Sequence, residues 1–333
     1  MSGARRIGIV VIGRNEGERL AACLATMPKL HAVIYVDSAS SDASTTIARR
    51  AGIETLELST SSPLSAARAR NAGITALMNA SLPPDYIQTL DGDCTLDSNW
   101  LSFGAAVLDA DQTIGVVAGR LRERHPERSV YNRLCDDEWN APDGEAAECG
   151  GVAIWRADAV VNAGLFDETL HAGEEPELCH RLRQRGSRVW RSQTPMGTHD
   201  ANLLTFGPWA RRMFRSGFSF AQLVGHVSGK TEPGWRRELS RIVIWALIVP
   251  LTAAVGALTG TTWLIAASLG AWTLLVGRMT IRGRAAGQSL SWAATSSALN
   301  LVGKFWQLGG AIHYLSGRYL RVARTRYVYA KRS

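Results

Sequence analysis

After Glu238 the chain contains no acidic residue, although it runs on to Ser333. Eleven Lys and Arg lie in that segment, so a chain of net charge +8 divides into an N-terminal part of net −3 and a strongly basic C-terminal part. The basic residues flank long uncharged runs rich in Trp, Leu, Ile and Ala, which points to anionic lipid headgroups and not to nucleic acid. Cysteine is scarce. The five (Cys23, Cys94, Cys135, Cys149, Cys179) show no CxxC spacing, so the pattern indicates neither a zinc site nor a disulfide framework and fits a reducing compartment. GxGxxG and GxxxxGK[ST] are both missing, which removes the best support for dehydrogenases and P-loop NTPases. Near the N-terminus only Ile7 to Ile12 is apolar, too short for a signal-peptide core, so this part of the chain is expected to stay in the cytosol.

At 333 residues the chain has room for one large domain or two smaller ones. Ile7 to Ile12 reads as a buried strand, and Gly13-Arg14-Asn15-Glu16-Gly17 breaks it before a helix to about Met27. The unit repeats. Ala32 to Val36 is a strand ending at Asp37 to Asp42, Ala43 to Ala51 is helical, and Ile53 to Leu58 is a third strand. Ser65 caps a helix through about Asn79 carrying Arg68, Arg70 and Asn71, and Tyr86 to Leu90 leads into Asp91-Gly92-Asp93. Ser98 reads as the N-cap of a helix to Ala110. Further strands are expected at Ile114 to Ala118, Val152 to Trp155 and Val189-Trp190, with a helix between Gly173 and Gly186. The charged stretch from Arg120 to Asn140 reads as irregular and is left unassigned, a mobile acceptor loop being one reading. Strands alternating with helices predict a mainly parallel sheet with helices on both faces, and ligands bind beyond the C-terminal strand ends of such sheets. Arg14, Glu16, Asp37, Asp42 and Asp91 to Asp93 all fall at that edge.

Two carboxylates flanking a glycine, as in Asp91-Gly92-Asp93, make a compact hard-oxygen site. Glycine lets the backbone turn sharply, and the carboxylates can hold Mg²⁺ or Mn²⁺ beside the phosphate oxygens of a nucleoside diphosphate. The same tripeptide also fits a plain turn at a strand end. An EF-hand is excluded, because Leu96 stands where glycine is needed and Ser102 where glutamate is needed. Gly150-Gly151 would let backbone pass close to a sugar, or marks a turn. Glu174, Glu175 and Glu177 open a helix, where acidic residues also complement the dipole. His199, in Thr198-His199-Asp200, reads as a metal ligand or a structural hydrogen-bonder.

Taken in order, Val10 to Glu16, Val36-Asp37-Ser38 with Ser41-Asp42, Leu90 to Asp93 and Gly164 to Gly186 make residues 6 to about 200 resemble a family 2 glycosyltransferase of GT-A fold. The resemblance implies an α/β domain over residues 1–203: a mixed nucleotide-sugar-binding sheet with helices on both faces. By it, Asp37 would hold the nucleobase edge, Arg14 and Glu16 would lie beside the nucleoside, and Arg70 would reach toward the nucleotide. Gly151 joins them as a donor contact. Asp91 and Asp93 would be the Mg²⁺ or Mn²⁺ and diphosphate motif, and His199 stands where a histidine often meets metal or pyrophosphate. Glu175 stands where the family usually has the Asp that acts as base; being one methylene longer, it leaves either Glu174 or Glu175 to face the acceptor. Ser38 replaces a commonly acidic residue and would alter ribose or base contacts. The implied chemistry is one inverting displacement, with the ion stabilising the departing diphosphate and a carboxylate taking the acceptor proton.

Residues 204–238 mix aromatic with basic side chains and read as an interfacial amphipathic segment broken by Gly217, or as a core helix. In membrane-bound members of the family such a segment lies against the bilayer, which makes Trp209, Arg211 and Arg212 membrane and acceptor candidates. Ile242 to Leu258 and Thr262 to Gly277 are uncharged stretches of 17 and 16 residues within a C-terminal part spanning 239–333. Spanning helices need about 17–25 residues, so the pair reads as a hairpin that crosses the membrane or as a re-entrant one. Arg241 before it and Arg278, Arg282 and Arg284 after it place both outer ends in the cytosol. Residues 291–316 would lie along or partly in the membrane, and the basic tail from Arg318 to Arg332 on anionic headgroups. The combined expectation is an inverting glycosyltransferase at the cytosolic face of the inner membrane. It would move a sugar from a nucleotide-diphosphate donor, expected to be a UDP-sugar, to a lipid-linked or polysaccharide acceptor. A polyprenyl-phosphate glycosyltransferase is the alternative, and a non-catalytic nucleotide-binding membrane scaffold the alternative of another class.

Overall fold

Strand β1 (Ile7–Gly13) is buried from Ile7 through Ile12, because it lies in the middle of a sheet covered on both faces. The computed structural model describes residues 5–29, 31–226 and 232–319, which divide after Asn202 into two units. In the first, β2 (Ala32–Asp37), β3 (Glu54–Glu57), β4 (Tyr86–Asp91), β5 (Cys94–Leu96), β6 (Ile114–Glu123), β7 (Gly144–Glu145), β8 (Ala153–Arg156) and β9 (Arg188–His199) join β1 in one sheet. Its order is β3-β2-β1-β4-β8-β6-β9-β5, with β7 pairing β9. Successive side chains of β1 point to opposite faces. Val10 and Ile12 enter a core with α3 (Ala66–Met78), whereas Ile9 and Val11 enter another with α1 (Glu18–Leu24), so the core is two layers divided by the sheet.

Strands β1 to β4 pair in parallel as the alternation predicts, but the sheet is mixed, not mainly parallel. Strand β8 runs antiparallel to both β4 and β6, and β9 takes β5 and β7 antiparallel while pairing β6 in parallel. Hydrophobic period carries no information about strand direction. Helix α2 (Ser44–Arg50) lies where expected; α4 (Trp100–Ala110) starts after Asn99, not at Ser98, since the Asp97 carboxylate takes the Asn99 N–H and forms the turn. The stretch from Arg120 to Asn140 is no irregular loop. Strand β6 continues to Glu123, and α5 (Val130–Glu138) follows, capped by the Ser129 hydroxyl. Helices α6 (Ala157–Asn162) and α7 (Glu174–Gln184) complete this unit.

The described residues of the second unit form helices joined by short turns. Helix α8 (Phe206–His226) runs unbroken through Gly217. No side chain fits there, since a Cβ would collide with the Gln307 carbonyl of the helix Leu290–Tyr319; Gly310 is packed equally closely against the Phe214 carbonyl. Gly217 is therefore a helix contact, not a break. Trp209, expected at an interface, is only 2% exposed and packs beside Gly303 in this unit, while Arg211 is exposed. Two helices, Pro233–Thr259 and Thr262–Ala285, are long and apolar enough to cross a membrane. They outrun the uncharged stretches because helical backbone continues through Arg241 on one side and Arg278, Arg282 and Arg284 on the other. A wide turn at Ile244–Ile248 precedes Pro250, which lacks the N–H that would answer the carbonyl of residue 246. Beyond Tyr319 the expected basic tail lies outside the described residues.

Glycine at 197 sets the pairing of β5 with β9, where it faces Leu96 in register. A Cβ there would collide with the Thr95 carbonyl. Overpacking of this kind costs about 1–3 kcal/mol, so Gly197→Ala should lower the melting temperature by roughly 3–10 °C in a circular-dichroism melt. An unchanged melt would show that β5 is not held there.

Candidate active site

Registry alone brings the expected acidic residues to one edge. Gly13 pairs with Asp37 and Ile12 with Asp91, so the ends of β1, β2 and β4 lie side by side. The two loops after β1 and β2 are laced together: the Ser44 hydroxyl accepts the N–H groups of Glu16 and Gly17, and the Asn15 side chain accepts that of Ser41. Asp37 braces this arrangement. Its carboxylate accepts from the Tyr35 hydroxyl at 2.8 Å and from both the backbone N–H and hydroxyl of Ser40. Arg14 is half-buried in the same loop, and Glu16 is buried where it pairs with Arg19.

Arg70, on α3, is the hub. Its side chain is 4% exposed, and its guanidinium donates to Asp91 Oδ1 at 2.9 Å and to Glu174 Oε1 at 2.7 Å. The Ser65 hydroxyl caps α3 by accepting the Arg68 N–H, which sets where the helix begins. Next to Arg70 on α3, Asn71 exchanges two hydrogen bonds with the backbone of Phe166, and the Phe166 ring centroid lies 5.5 Å from the Arg70 guanidinium carbon. Gly151 is required by this packing, because a Cβ there would stand 2.5 Å from Arg70 Nη2 and 3.6 Å from Asp91 Oδ2.

Asp93 takes a different set of partners. The strand register places Cys94 of β5 and Glu123 of β6 on either side of His199. His199 Nε2 lies 3.5 Å from Asp93 Oδ1, and its Nδ1 lies 3.8 Å from Glu123 Oε2. Glu123 is buried and is itself held by N–H groups of His125 and Ala201 and by the Asn132 amide. Trp139 stands edge-on to the imidazole, with ring centroids 4.7 Å apart. Arg19 reaches Glu16, the Asp93 carboxylate and the Asp200 carbonyl. Burial alone would lower the His199 pKa, but the charges of Asp93, Glu123 and Asp91 outweigh it and raise the pKa above 6.5.

An oxygen and an imidazole nitrogen facing each other suit Mn²⁺ or Mg²⁺, which take hard and borderline ligands. Cys94 also lies within reach, but Mg²⁺ and Mn²⁺ prefer oxygen and imidazole ligands to a thiol, so Asp93 and His199 are the fitting pair. The two expected metal carboxylates are thus divided: Asp93 faces His199, and Asp91 faces Arg70 with 36% of its side chain exposed.

Helix α7 starts from Gly173, whose φ of 86° is the left-handed region that glycine adopts freely. Its first two residues go separate ways. Glu174 meets Arg70, whereas Glu175 is buried and its Oε1 accepts the N–H groups of Cys149 and Gly150, both at 2.8 Å. Glu175 Oε2 takes no hydrogen bond among the described residues. Arg70, Asp91, Gly151 and Glu174 are therefore one cluster, and Asp93 and His199 another beside it. Glu123, Arg19 and Trp139 belong to the second cluster but carry no sequence motif; only the in-register pairing of β6 with β9 reveals them.

An α/β sheet with acidic residues and a histidine gathered at its strand ends defines the class: this is a GT-A fold. A mannosyltransferase from Pyrobaculum calidifontis, solved with GDP-mannose and Mn²⁺, superposes with a TM-score of 0.57 at 20% identity, covering 93% of this chain and 87% of that one. Residues 1–349 of Staphylococcus aureus TarS superpose with a TM-score of 0.50 at 13% identity, covering 96% and 93%. Residues 8–147 match the family model described as Glycosyl transferase family 2. Among curated proteins it is similar to the pre-mycofactocin glycosyltransferase of Mycobacterium tuberculosis, 27% identical over 243 residues. That match covers 69% of this chain, and the chain spans about half the length of the curated relatives it matches.

His199 gives a pH signature. A histidine whose folded pKa is raised contributes stability that is fully present below the unfolded value of 6.5 and is lost as pH rises through the folded value. In chelator-treated protein the stability gap between wild type and His199→Asn should be widest below pH 6.5 and shrink as pH rises above it in urea titrations. A gap independent of pH would contradict the charge environment described.

Proposed function

We propose that the chain transfers a glycosyl group, with inversion, from a nucleoside-diphosphate sugar to a lipid-linked or polysaccharide acceptor at the cytosolic face of the inner membrane. The observation that carries this reading is the arrangement of Asp91 and Glu174 on one buried guanidinium, beside the facing pair Asp93 and His199. The family-model match over residues 8–147 and the Mn²⁺ and GDP-mannose held by the Pyrobaculum calidifontis neighbour support it.

In this reading Asp93 and His199 hold Mg²⁺ or Mn²⁺, with Asp91 lining the same site through its exposed oxygen. Bound there, the ion supplies Lewis-acid stabilisation of the charge that grows on the departing diphosphate. Glu123 fixes the imidazole so that Nε2 faces Asp93, the service an outer carboxylate gives a metal-binding histidine. Arg14, Glu16 and Asp37 border the nucleoside, and Gly151 leaves room for the donor. Glu175 serves as the base: two backbone N–H groups orient Oε1, and Oε2 is left to take the acceptor proton. Glu174 is committed to Arg70 and acts as the brace.

Residues 1–203 form the catalytic domain in this proposal, 204–238 an interfacial segment and 239–333 the membrane part. The two long helices leave Leu258, Trp263, Leu274 and Ile281 more than two-thirds exposed, a surface that lipid would cover. Arginines at both outer flanks favour a hairpin with its ends in the cytosol. Arg211 and Arg212 are the candidates for anionic headgroups and acceptor.

Incubating the full chain in membranes with UDP- and GDP-sugars and Mn²⁺ tests the reading. Nucleoside diphosphate should be released and sugar should appear on a membrane-extractable product, both lost on chelation. Asp93→Ala should lower kcat/KM by on the order of 10²-fold or more, and Glu175→Gln should bind donor nearly as wild type while turnover falls by roughly 10²–10⁴-fold. Wild-type turnover in either variant would overturn the role given to that residue. A sugar joined through a phosphodiester, seen by mass analysis, would replace the glycosidic acceptor with a lipid phosphate.

A further inference from the structure

Beneath the start of α7 lies a cluster of which the proposed transfer uses only Glu175. Cys149 and Cys179 are both buried, their sulfurs are 3.5 Å apart, and Cys179 Sγ lies 3.5 Å from Glu175 Oε1. One ligand atom from each of Cys149, Glu175 and Cys179 falls within 4.8 Å of the others. Thirty positions separate the two cysteines, so no spacing motif announces them; the chain folding back from β8 to α7 brings them together.

Two of its three distances come near those of a filled coordination sphere. Two thiolates on one tetrahedral zinc, each bonded at about 2.3 Å, lie about 3.8 Å apart, and a thiolate and a carboxylate oxygen about 3.6 Å apart. Two of the three separations are 3.5 Å, within about 0.3 Å of those values, and the third pair lies within 4.8 Å. A disulfide is farther away, since its sulfurs must approach to about 2.05 Å. Two soft sulfurs with one oxygen select Zn²⁺ or Cd²⁺ over Mg²⁺ or Mn²⁺, so the cluster and the Asp93–His199 pair favour different ions.

We propose that Cys149, Cys179 and Glu175 form a second metal site, for a thiophilic divalent cation such as Zn²⁺, and that its occupation shuts off the transferase. On binding, both S–H bonds break, two sulfur–metal bonds form, and the two protons pass to solvent with no change of oxidation state. Glu175 is the switch. Drawn onto the cation, its carboxylate can no longer accept a proton from the acceptor, and its grip on the Cys149 and Gly150 amides changes beside Gly151. The inhibitory half rests on the role proposed for Glu175; the binding half does not.

Cadmium titration of the full-length, metal-stripped protein under anaerobic conditions tests binding without any substrate. A thiolate-to-cadmium charge-transfer band should rise in the ultraviolet and saturate at one ion per chain. It should disappear in Cys179→Ala, and Cys149→Ala serves as a second variant should the first fail to fold. No band in wild type, or an undiminished band in a folded variant, as Cys94 beside Asp93 and His199 would produce, overturns the site. Inhibition is read separately: Zn²⁺ should lower Mn²⁺-supported donor turnover at least tenfold in wild type and less than twofold in Cys179→Ala. A band without selective inhibition would retain the site and sink the switch; the role of Glu175 as base is decided separately by Glu175→Gln.

Discussion

One buried cation carries the organisation of this site. Arg70 reaches it from α3 with its side chain almost wholly enclosed, and its planar fork binds a carboxylate from the end of β4 and another from the start of α7. Asp91 and Glu174 would repel each other at that separation without it, and a guanidinium buried without them would carry an uncompensated charge. Neither half is stable in this form alone. Asp91 is a third exposed, so solvent screens its share, and the tighter member of the pair is Glu174. Arg70 therefore joins the parallel half of the sheet to the helix carrying the proposed base. Everything packed around it follows: Asn71 clamps the Phe166 backbone, Phe166 presents its ring to the guanidinium, and position 151 tolerates no side chain.

Much of this was legible in the residues. Strands ending at Asp37 and Asp91 were readable because apolar runs stopped at polar clusters, and their common edge followed from parallel pairing with β1. The illegible parts share one cause, which is that period and composition carry no long-range pairing. Glu123 looked like one more charge in an irregular stretch, yet its alignment with His199 across β6 and β9 makes it the floor of the second cluster. Glu174 and Glu175 are adjacent and chemically alike, so only coordinates separate the one that meets Arg70 from the one that ties down Cys149 and Gly150. Gly217 looked like a break because a glycine without contacts is one; packed against the Gln307 carbonyl it is the reverse.

The C-terminal unit obeys different physics from the sheet. Its close helix contacts come at Gly217 and Gly310, where missing side chains let backbones approach, and its long helices turn apolar side chains outward. Small residues inside and apolar residues outside is the arrangement a lipid solvent favours, since apolar surface gains nothing there from burial. In the proposed function, the part up to Glu238, of net −3, supplies oxygen ligands for a cation, and the basic remainder supplies positive charge for a headgroup layer.

The central claim is that Asp93 and His199 hold the ion on which a nucleoside diphosphate rests. Anomalous diffraction from crystals grown with Mn²⁺ and a nucleoside diphosphate measures this most directly. A manganese peak bonded to an Asp93 oxygen and His199 Nε2, with diphosphate oxygens completing its sphere, is the predicted result. A bound diphosphate with manganese elsewhere, and Asp93 still turned only toward Arg19 and His199, would contradict it.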